Sequence, residues 1–241
     1  MIAEDLKRKL ESDFDVEVEI TEPAEDEEVP VALRNNVYSD PMETVVESYA
    51  LPNRTEIDPS FLISLFYYIF FGLMLSDAGY GILLTAGTGI ALLKVKNMKP
   101  GMKKLVKLFF YGGISTIFWG FMFGSFFGDA VHVIASTFFH RPDITLAPIW
   151  FEPVKNPMKM LVFAFILGII HLFTGLFVNG YLCLKKKDYE GFVCDVLFWA
   201  MFVAGGIVYL LSMDMITGMM NLSFTLSPGV ARIAAIVAIA G

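Results

Sequence analysis

The sequence predicts an all-α fold, a polytopic bundle of transmembrane helices preceded by the end of a cytoplasmic α+β domain. Two observations predict the membrane part. Hydrophobic residues make up 56% of the 241-residue chain and charged residues only 18%, which is more apolar surface than one soluble core of this size conceals. Several uncharged runs also approach the roughly 20 residues that a helix needs to cross about 30 Å of hydrocarbon.

The N-terminal quarter has a different composition. Residues 1–60 contain 17 of the 25 acidic side chains but only five basic ones. Residues 4–13 are typical of an exposed helix, and the apolar–acidic alternation of residues 14–20 predicts a half-buried strand that Leu6 and Leu10 cover. Met1 is not followed by a secretory signal. We therefore expect residues 1–58 to be the C-terminal end of a cytoplasmic domain followed by a linker.

Apolar blocks dominate the remaining residues, 59–241, which we expect to form a transmembrane domain. Its predicted helices cover about 60–75, 79–93, 105–128, 158–184, 192–212 and 229–241. The last block stops after too few residues to span a bilayer, and the first residues look like the end of a larger domain. We therefore expect that the natural chain is truncated at both ends in this sequence.

Residues 59–93 allow two interpretations. One helix of this length would measure about 52 Å, which is too long for an upright span, and Asp77 near Gly79 and Gly81 favours a break in the middle. The result would be two short helices joined by a turn on the far side of the membrane. The alternative is one strongly tilted helix.

Lysine-rich loops favour the hairpin. Residues 94–107 contain six lysines and no acidic residue, and Lys185, Lys186 and Lys187 form a second cluster. The positive-inside rule places such loops in the cytoplasm. Only the hairpin puts both loops on the same side as a cytoplasmic N-terminus.

Catalytic signatures are absent from the sequence. It contains no phosphate-binding loop, no dinucleotide fingerprint, no nucleophile elbow and no metal-ligand spacing, and its two cysteines do not make a disulfide framework. We therefore expect neither an enzyme acting alone nor a bound cofactor or metal.

Ionisable residues at membrane depth are the remaining candidates for chemistry, because they are costly there and often line ion paths. The candidates are Asp77, His171 and Asp195. Each also has a structural interpretation: a solvated turn residue, a hydrogen-bonded neutral imidazole, and a carboxylate at a helix start. The spacing Gly120-x-x-x-Gly124-x-x-x-Gly128 separately predicts a close helix–helix contact.

Several motifs together resemble a known family. They are Leu51-Pro52, Glu56-Ile57-Asp58-Pro59, the run from Phe70-Phe71-Gly72 to Gly79-Tyr80-Gly81, the glycine series 120–128, Gly168-Ile169-Ile170-His171, and Asp195-Val196-Leu197-Phe198-Trp199. In this order they are similar to the membrane stator subunit of V/A-type rotary ATPases, called subunit I in prokaryotes and subunit a in eukaryotes. The similarity extends over nearly the whole chain.

The resemblance implies a non-catalytic subunit that supports H⁺ or Na⁺ translocation against a rotating c ring, with ATP hydrolysis or synthesis on other subunits. The implied partners are c-ring, peripheral-stalk and central-stalk subunits and membrane lipid, without nucleic acid, in a prokaryotic plasma membrane. The family's essential arginine lies in a Ser-Tyr-x-Arg-Leu-x-Ala-Leu motif. Residues around Arg232 lack the Ser-Tyr pair, so we expect that arginine beyond Gly241 and expect Arg232 to snorkel to the interface.

Two other classes of function stay open from the sequence. A self-contained secondary transporter is disfavoured because paired inverted repeats are missing. A passive membrane anchor for a soluble domain does not require ionisable residues at membrane depth, although it does not exclude them.

Overall fold

The computed structural model describes residues 2–21, 31–52, 56–141, 144–212 and 228–240. These residues form helices and connecting segments, and no strand occurs among them. The helices are α1 (Ile2–Asp13), α2 (Asp40–Tyr49), α3 (Ser60–Leu75), α4 (Ala78–Lys94), α5 (Pro100–Phe123), α6 (Ala130–Phe139), α7 (Pro157–Lys186), α8 (Tyr189–Leu211) and α9 (Pro228–Ala240). Three of them, α5, α7 and α8, are long and apolar enough to cross a membrane, whereas α3 and α4 are shorter.

The strand predicted at residues 14–20 is wrong. Residues 16–21 carry no regular secondary structure, and the apolar side chains meant for the covered face are largely exposed, with Phe14 at 63% and Leu6 at 56%. A strand needs a neighbouring strand to receive its backbone hydrogen bonds, and the described residues provide none. The apolar–acidic alternation therefore does not produce a sheet.

Helix α5 begins and ends five residues earlier than the sequence predicts. Pro100 occupies the first turn, where the missing N–H of proline costs nothing. Gly124 ends the helix because it adopts φ +72°, a left-handed conformation that glycine tolerates best. Of the predicted glycine series, only Gly120 therefore lies within the helix; Gly124 and Gly128 shape the loop that follows.

Two helices, and not one tilted helix, cover the predicted block 59–93. Helix α3 ends where Ser76 adopts the left-handed conformation, and Asp77 is extended before α4 begins. Helix α3 runs parallel to α5, because Tyr68 lies against Tyr111 and the later Gly72 lies against the later Ser115. Helix α4 meets α5 in the opposite order.

The register of α4 shows this reversal. Gly81 lies against Ile117, whereas the later Gly89 lies against Phe110. Helices α3 and α4 therefore run in opposite directions along α5 and form a helical hairpin, the first of the two interpretations of the sequence. Gly120 completes the contact, since a Cβ there would overlap the backbone of Ala78.

Ion pairs define one end of the bundle, which we call the basic end: residues 94–107, Lys185–Lys187 and the adjoining helix α2. Lys104 contacts Glu43 at 2.5 Å and Lys107 contacts Asp40 at 2.7 Å. Lys186 contacts Glu56 at 3.0 Å. Both lysine clusters therefore lie at the end where α3 begins.

The far end is the opposite end, formed by the link between α3 and α4 and by residues 124–129 and 144–156. Leu73, Phe123 and Phe151 are buried together there, and Trp119 and Phe163 pack around them. At the basic end the corresponding buried cluster is Met42, Tyr68 and Leu108. The hydrophobic core is thus divided into two layers, one near each end of α5.

Candidate functional site

Asp77 is the most thoroughly hydrogen-bonded of the candidate residues. Its side chain is 6% exposed and accepts four hydrogen bonds. Oδ1 accepts from the backbone N–H of Tyr80 at 3.1 Å and of Phe127 at 2.9 Å. Oδ2 accepts from Ser125 Oγ at 2.7 Å and from the backbone N–H of Gly128 at 2.7 Å.

These bonds join two segments that are far apart in sequence. The Tyr80 bond caps the first turn of α4, and the other three come from the loop after α5. The Ala78 N–H also donates to the Ser125 carbonyl at 2.9 Å. We call this set the Asp77 clamp: Asp77, Ala78 and Tyr80 on one side, and Ser125, Phe127 and Gly128 on the other.

The clamp favours the ionised carboxylate. Asp77 lies in the link between α3 and α4, outside both apolar helices. Burial acts to raise its pKa, but the hydrogen bonds from Gly128, Ser125, Tyr80 and Phe127 outweigh it and lower the pKa below its ordinary value. The turn position predicted for Asp77 agrees with the structure, but the predicted solvation does not, because protein donors have replaced water around the carboxylate.

The loop side of the clamp depends on unusual backbone angles. Phe127 adopts φ +48° and Gly128 φ +68°, which turns their two amides towards one carboxylate. The Phe127 ring then packs edge-on against Tyr80 at 5.1 Å. Sequence reasoning missed these partners, although the Gly124 and Gly128 pair bracketing Ser125 is a turn signal.

His171 lies on α7 next to aromatic residues of α3. Its ring centroid is 4.5 Å from that of Phe66 and 5.4 Å from that of Phe70. The residue is nevertheless exposed, as is most of α7, whose most apolar window contains no buried residue. His171 thus has an apolar wall on one side and an open face on the other.

Asp195 lies in the second turn of α8, not at its start, because that helix begins at Tyr189. It belongs to a π-helical segment, Phe192–Leu197. Val196 and Phe192 of this segment pack against Gly180 of α7, whereas Asp195 is exposed. The widened turn therefore places the two apolar side chains against α7 and leaves the carboxylate on the open surface.

The three candidates do not form one cluster. Asp77 is at the far end, His171 is midway along α7, and Asp195 is close to the Lys185–Lys187 cluster at the basic end. Within the described part of the chain they share no hydrogen-bond partner, and no group of three or more His, Cys, Asp or Glu residues suited to a metal ion occurs.

Helix α2 adds a polar contact that sequence reasoning missed. Its carboxylates Asp40 and Glu43 face Lys107 and Lys104 of α5, and the Glu43 side chain is only 8% exposed. The two acids are three residues apart on α2 and the two lysines are three residues apart on α5, a spacing that puts each set on one face of its helix. That shared spacing of acids and lysines is the signal by which the contact could have been found.

The helices and their charge distribution define a class: a polytopic α-helical membrane protein with a polar segment attached to its basic end. Residues 1–147 match the model of the V-type ATPase 116kDa subunit family. Because the match covers more than half of the chain, the protein belongs to this family, as its sequence motifs indicated.

Individual relatives agree with this assignment. The A-type ATP synthase subunit I of Methanocaldococcus jannaschii is 32% identical over 243 residues, covering 90% of this chain and 35% of the relative. The corresponding subunit of Thermococcus kodakarensis is 31% identical over 206 residues, covering 85% and 31%. The V-type ATP synthase subunit I of Chlamydia muridarum is 31% identical over 126 residues, covering 51% and 19%. The chain spans about a third of the length of the first two relatives.

Proposed function

We propose that this chain is part of the membrane-embedded, non-catalytic stator subunit of a V/A-type ATPase, which supports H⁺ or Na⁺ translocation against a rotating c ring. The observation that carries the proposal is the family match together with the helical bundle. The relatives are named as subunit I of ATP synthases, and ATP hydrolysis or synthesis would occur on other subunits. The proposed partners are c-ring subunits and subunits of the peripheral and central stalks.

The attachment of α2 supports the stator role. A stator must resist torque between its soluble and membrane parts, so the connection between them needs to be stiff. The pairs Lys104–Glu43 and Lys107–Asp40 and the ring contacts of Tyr38 with Tyr68 and Tyr111, at 4.8 and 5.6 Å, hold the linker segment against the first turns of α5. We propose that load passes through this junction.

We propose that the basic end lies in the cytoplasm together with the N-terminus. Both lysine clusters gather at this end, as the positive-inside rule requires. The Asp77 clamp would then lie on the external side. In a background with Cys183 and Cys194 replaced by serine, a cysteine introduced at Lys187 should react with a membrane-impermeant maleimide only in inverted vesicles, and one at Asp129 only in right-side-out vesicles. The opposite labelling would refute this orientation.

We propose different roles for the three predicted ion-path residues. Asp77 is saturated by protein donors, so we propose that it holds the far end together. His171 and Asp195 present polar groups on the open faces of α7 and α8, and we propose that they border an aqueous path to the ring.

The experiment uses the complete subunit within the purified ATPase, reconstituted into vesicles. We expect His171→Ala and Asp195→Asn to lower ATP-driven ion uptake severalfold while the complex stays assembled. Thr137→Ala, at an exposed position on α6, is the matched control and should leave uptake unchanged. Normal uptake in both variants would refute the proposed role of His171 and Asp195 in the ion path, and the stator assignment would be unaffected.

Copurification tests the stator assignment itself. An affinity tag on the complete subunit should recover nucleotide-binding and ring subunits in stoichiometric amounts. Solute transport by the purified subunit alone would instead establish a secondary transporter, and recovery of the subunit without any ATPase partner would favour a passive anchor.

A further inference from the structure

A groove at the far end lies where helix α7 begins. It has a volume of about 580 Å³ and is lined by the aromatic side chains of Trp150, Phe151 and Phe163, by the polar residues that start α7, and by Val162 and Ile166 further along it. Trp150 packs edge-on against Phe163 at 4.8 Å, so one wall of the groove is a fixed aromatic surface. The proposed ion path does not involve these residues.

The groove is polar at one end and apolar at the other. Lys155, Asn156 and Lys159 line the polar end. Glu152 contacts Lys155 at 2.7 Å and balances its charge. The charge of Lys159 is left over, so the polar end has a net charge of one positive unit. Val162 and Ile166 line the apolar end, and the helical rise places Ile166 about 10 Å beyond Lys159.

This polarity coincides with the expected boundary of the bilayer. Helix α7 is one of the three helices that are long and apolar enough to cross a membrane, so we expect its first turns at the level of the lipid headgroups. Tryptophan is enriched at that level, and lysine side chains there extend their charge towards water. A groove that is basic at headgroup level and apolar at hydrocarbon level has the amphipathic profile of a phospholipid.

We propose that this groove binds one anionic phospholipid, with its phosphate at Lys155 and Lys159 and the upper part of one hydrocarbon chain along Val162 and Ile166. The charge is what selects an anionic headgroup over a zwitterionic one. Glu152 keeps Lys155 in place beside the phosphate. Trp150 and Phe163 form the apolar wall against which the glycerol and first methylenes pack.

Native mass spectrometry of the purified complete ATPase tests the proposal. The complex is equilibrated in mixed micelles with phosphatidylglycerol or with phosphatidylcholine, and retained lipid is counted. Each lysine near a charged headgroup contributes about fivefold in affinity, so we expect Lys155→Gln with Lys159→Gln to weaken retention of one phosphatidylglycerol by more than tenfold. Val162→Trp, which fills the groove without changing charge, should abolish the same retention.

Lys185→Gln, at the opposite end of α7, is the matched control and should keep that lipid. Equal retention of phosphatidylglycerol by the double variant and the parent would overturn the proposal, as would equal retention of phosphatidylcholine and phosphatidylglycerol by the parent. A photoreactive residue at Ile166 should crosslink to lipid; crosslinking to a polypeptide would show that another protein segment occupies the groove. None of these outcomes bears on ion translocation, so the proposed function is tested separately.

Discussion

Replacing Asp77 tests whether the far end is held together by a single carboxylate. In Asp77→Asn one oxygen remains for the amides of Tyr80 and Phe127, but the new NH₂ group can no longer accept from Gly128 or Ser125. Hydrogen bonds to charged groups contribute about 1.5–3 kcal/mol each. Because Ser125 can redirect its hydroxyl to another acceptor, we count mainly the Gly128 bond and expect a loss of about 2 kcal/mol.

Asp77→Ala should cost more. It also removes the helix cap at Tyr80, which contributes about 1 kcal/mol, and the bond from Phe127, which contributes about as much as the Gly128 bond. The total is about 5 kcal/mol. Asp129→Asn is the matched control, because the Asp129 side chain is 77% exposed and its contact with His132 is 3.5 Å long; it should change stability by less than about 0.5 kcal/mol.

The assay is the free energy of unfolding of the complete subunit, measured by titration with a denaturing detergent in mixed micelles. Hydrogen exchange of residues 124–129 provides a local readout, since the Gly128 amide should lose protection in Asp77→Asn and the Phe127 amide should lose it as well in Asp77→Ala. If Asp77→Asn matches Asp129→Asn in stability, and the loop amides exchange at the rate of the parent, the inference that the carboxylate joins α4 to the loop is incorrect.

Three further predictions follow from the bundle. Gly120→Ala should destabilise the subunit by about 1–3 kcal/mol through overpacking, because the added Cβ meets the Ala78 backbone; Gly168→Ala, where the space is open, should be neutral in the same detergent titration. Glu43→Gln should destabilise it by about 2 kcal/mol because Lys104 loses its nearly buried partner, whereas Glu11→Gln, in an exposed pair with Lys7, should change little; equal effects would contradict the junction described for α2. Asp58 has a lowered pKa because hydrogen bonds from Ser60 and Asn35 outweigh the opposing effect of burial, so its contribution is present above the ordinary pKa of about 3.9 and is lost as the pH falls through the lower folded value. Melting curves between pH 6 and pH 3 should therefore show a smaller acid-induced loss in Asp58→Asn than in the parent, and identical pH profiles would contradict this assignment.

Sequence reasoning worked best where one property decides the outcome. Uninterrupted apolar runs determine that α7 forms, and the lysine clusters favour the hairpin because only the hairpin puts both of them on the side of a cytoplasmic N-terminus. It was less accurate for α5, where residues 100–104, which were expected in the lysine-rich loop, belong to the helix. Helical propensity and a proline at the first turn outweighed the charge pattern there.

Tertiary partners were the part that the sequence could not provide. The alternation of residues 14–20 satisfies a local rule for strands, but a strand forms only where another strand accepts its hydrogen bonds. The sequence also did not predict that Asp77 joins α4 to the loop after α5, because three of its four hydrogen-bond donors lie about fifty residues later in the chain. Its position beside two glycines predicts a turn but not the loop that the turn holds.

The lengths of the helices bear on the thickness of the membrane around this protein. Helices α3 and α4 contain 16 and 17 residues, so each measures about 25 Å, whereas α7, with 30 residues, measures about 45 Å. In the membrane orientation that we propose, a hydrocarbon layer of about 30 Å would thin beside the short pair and accommodate the long helix by tilt. The lipid barrier next to the hairpin would then be thinner than elsewhere, and a water-filled path on that side would have a shorter distance to cover.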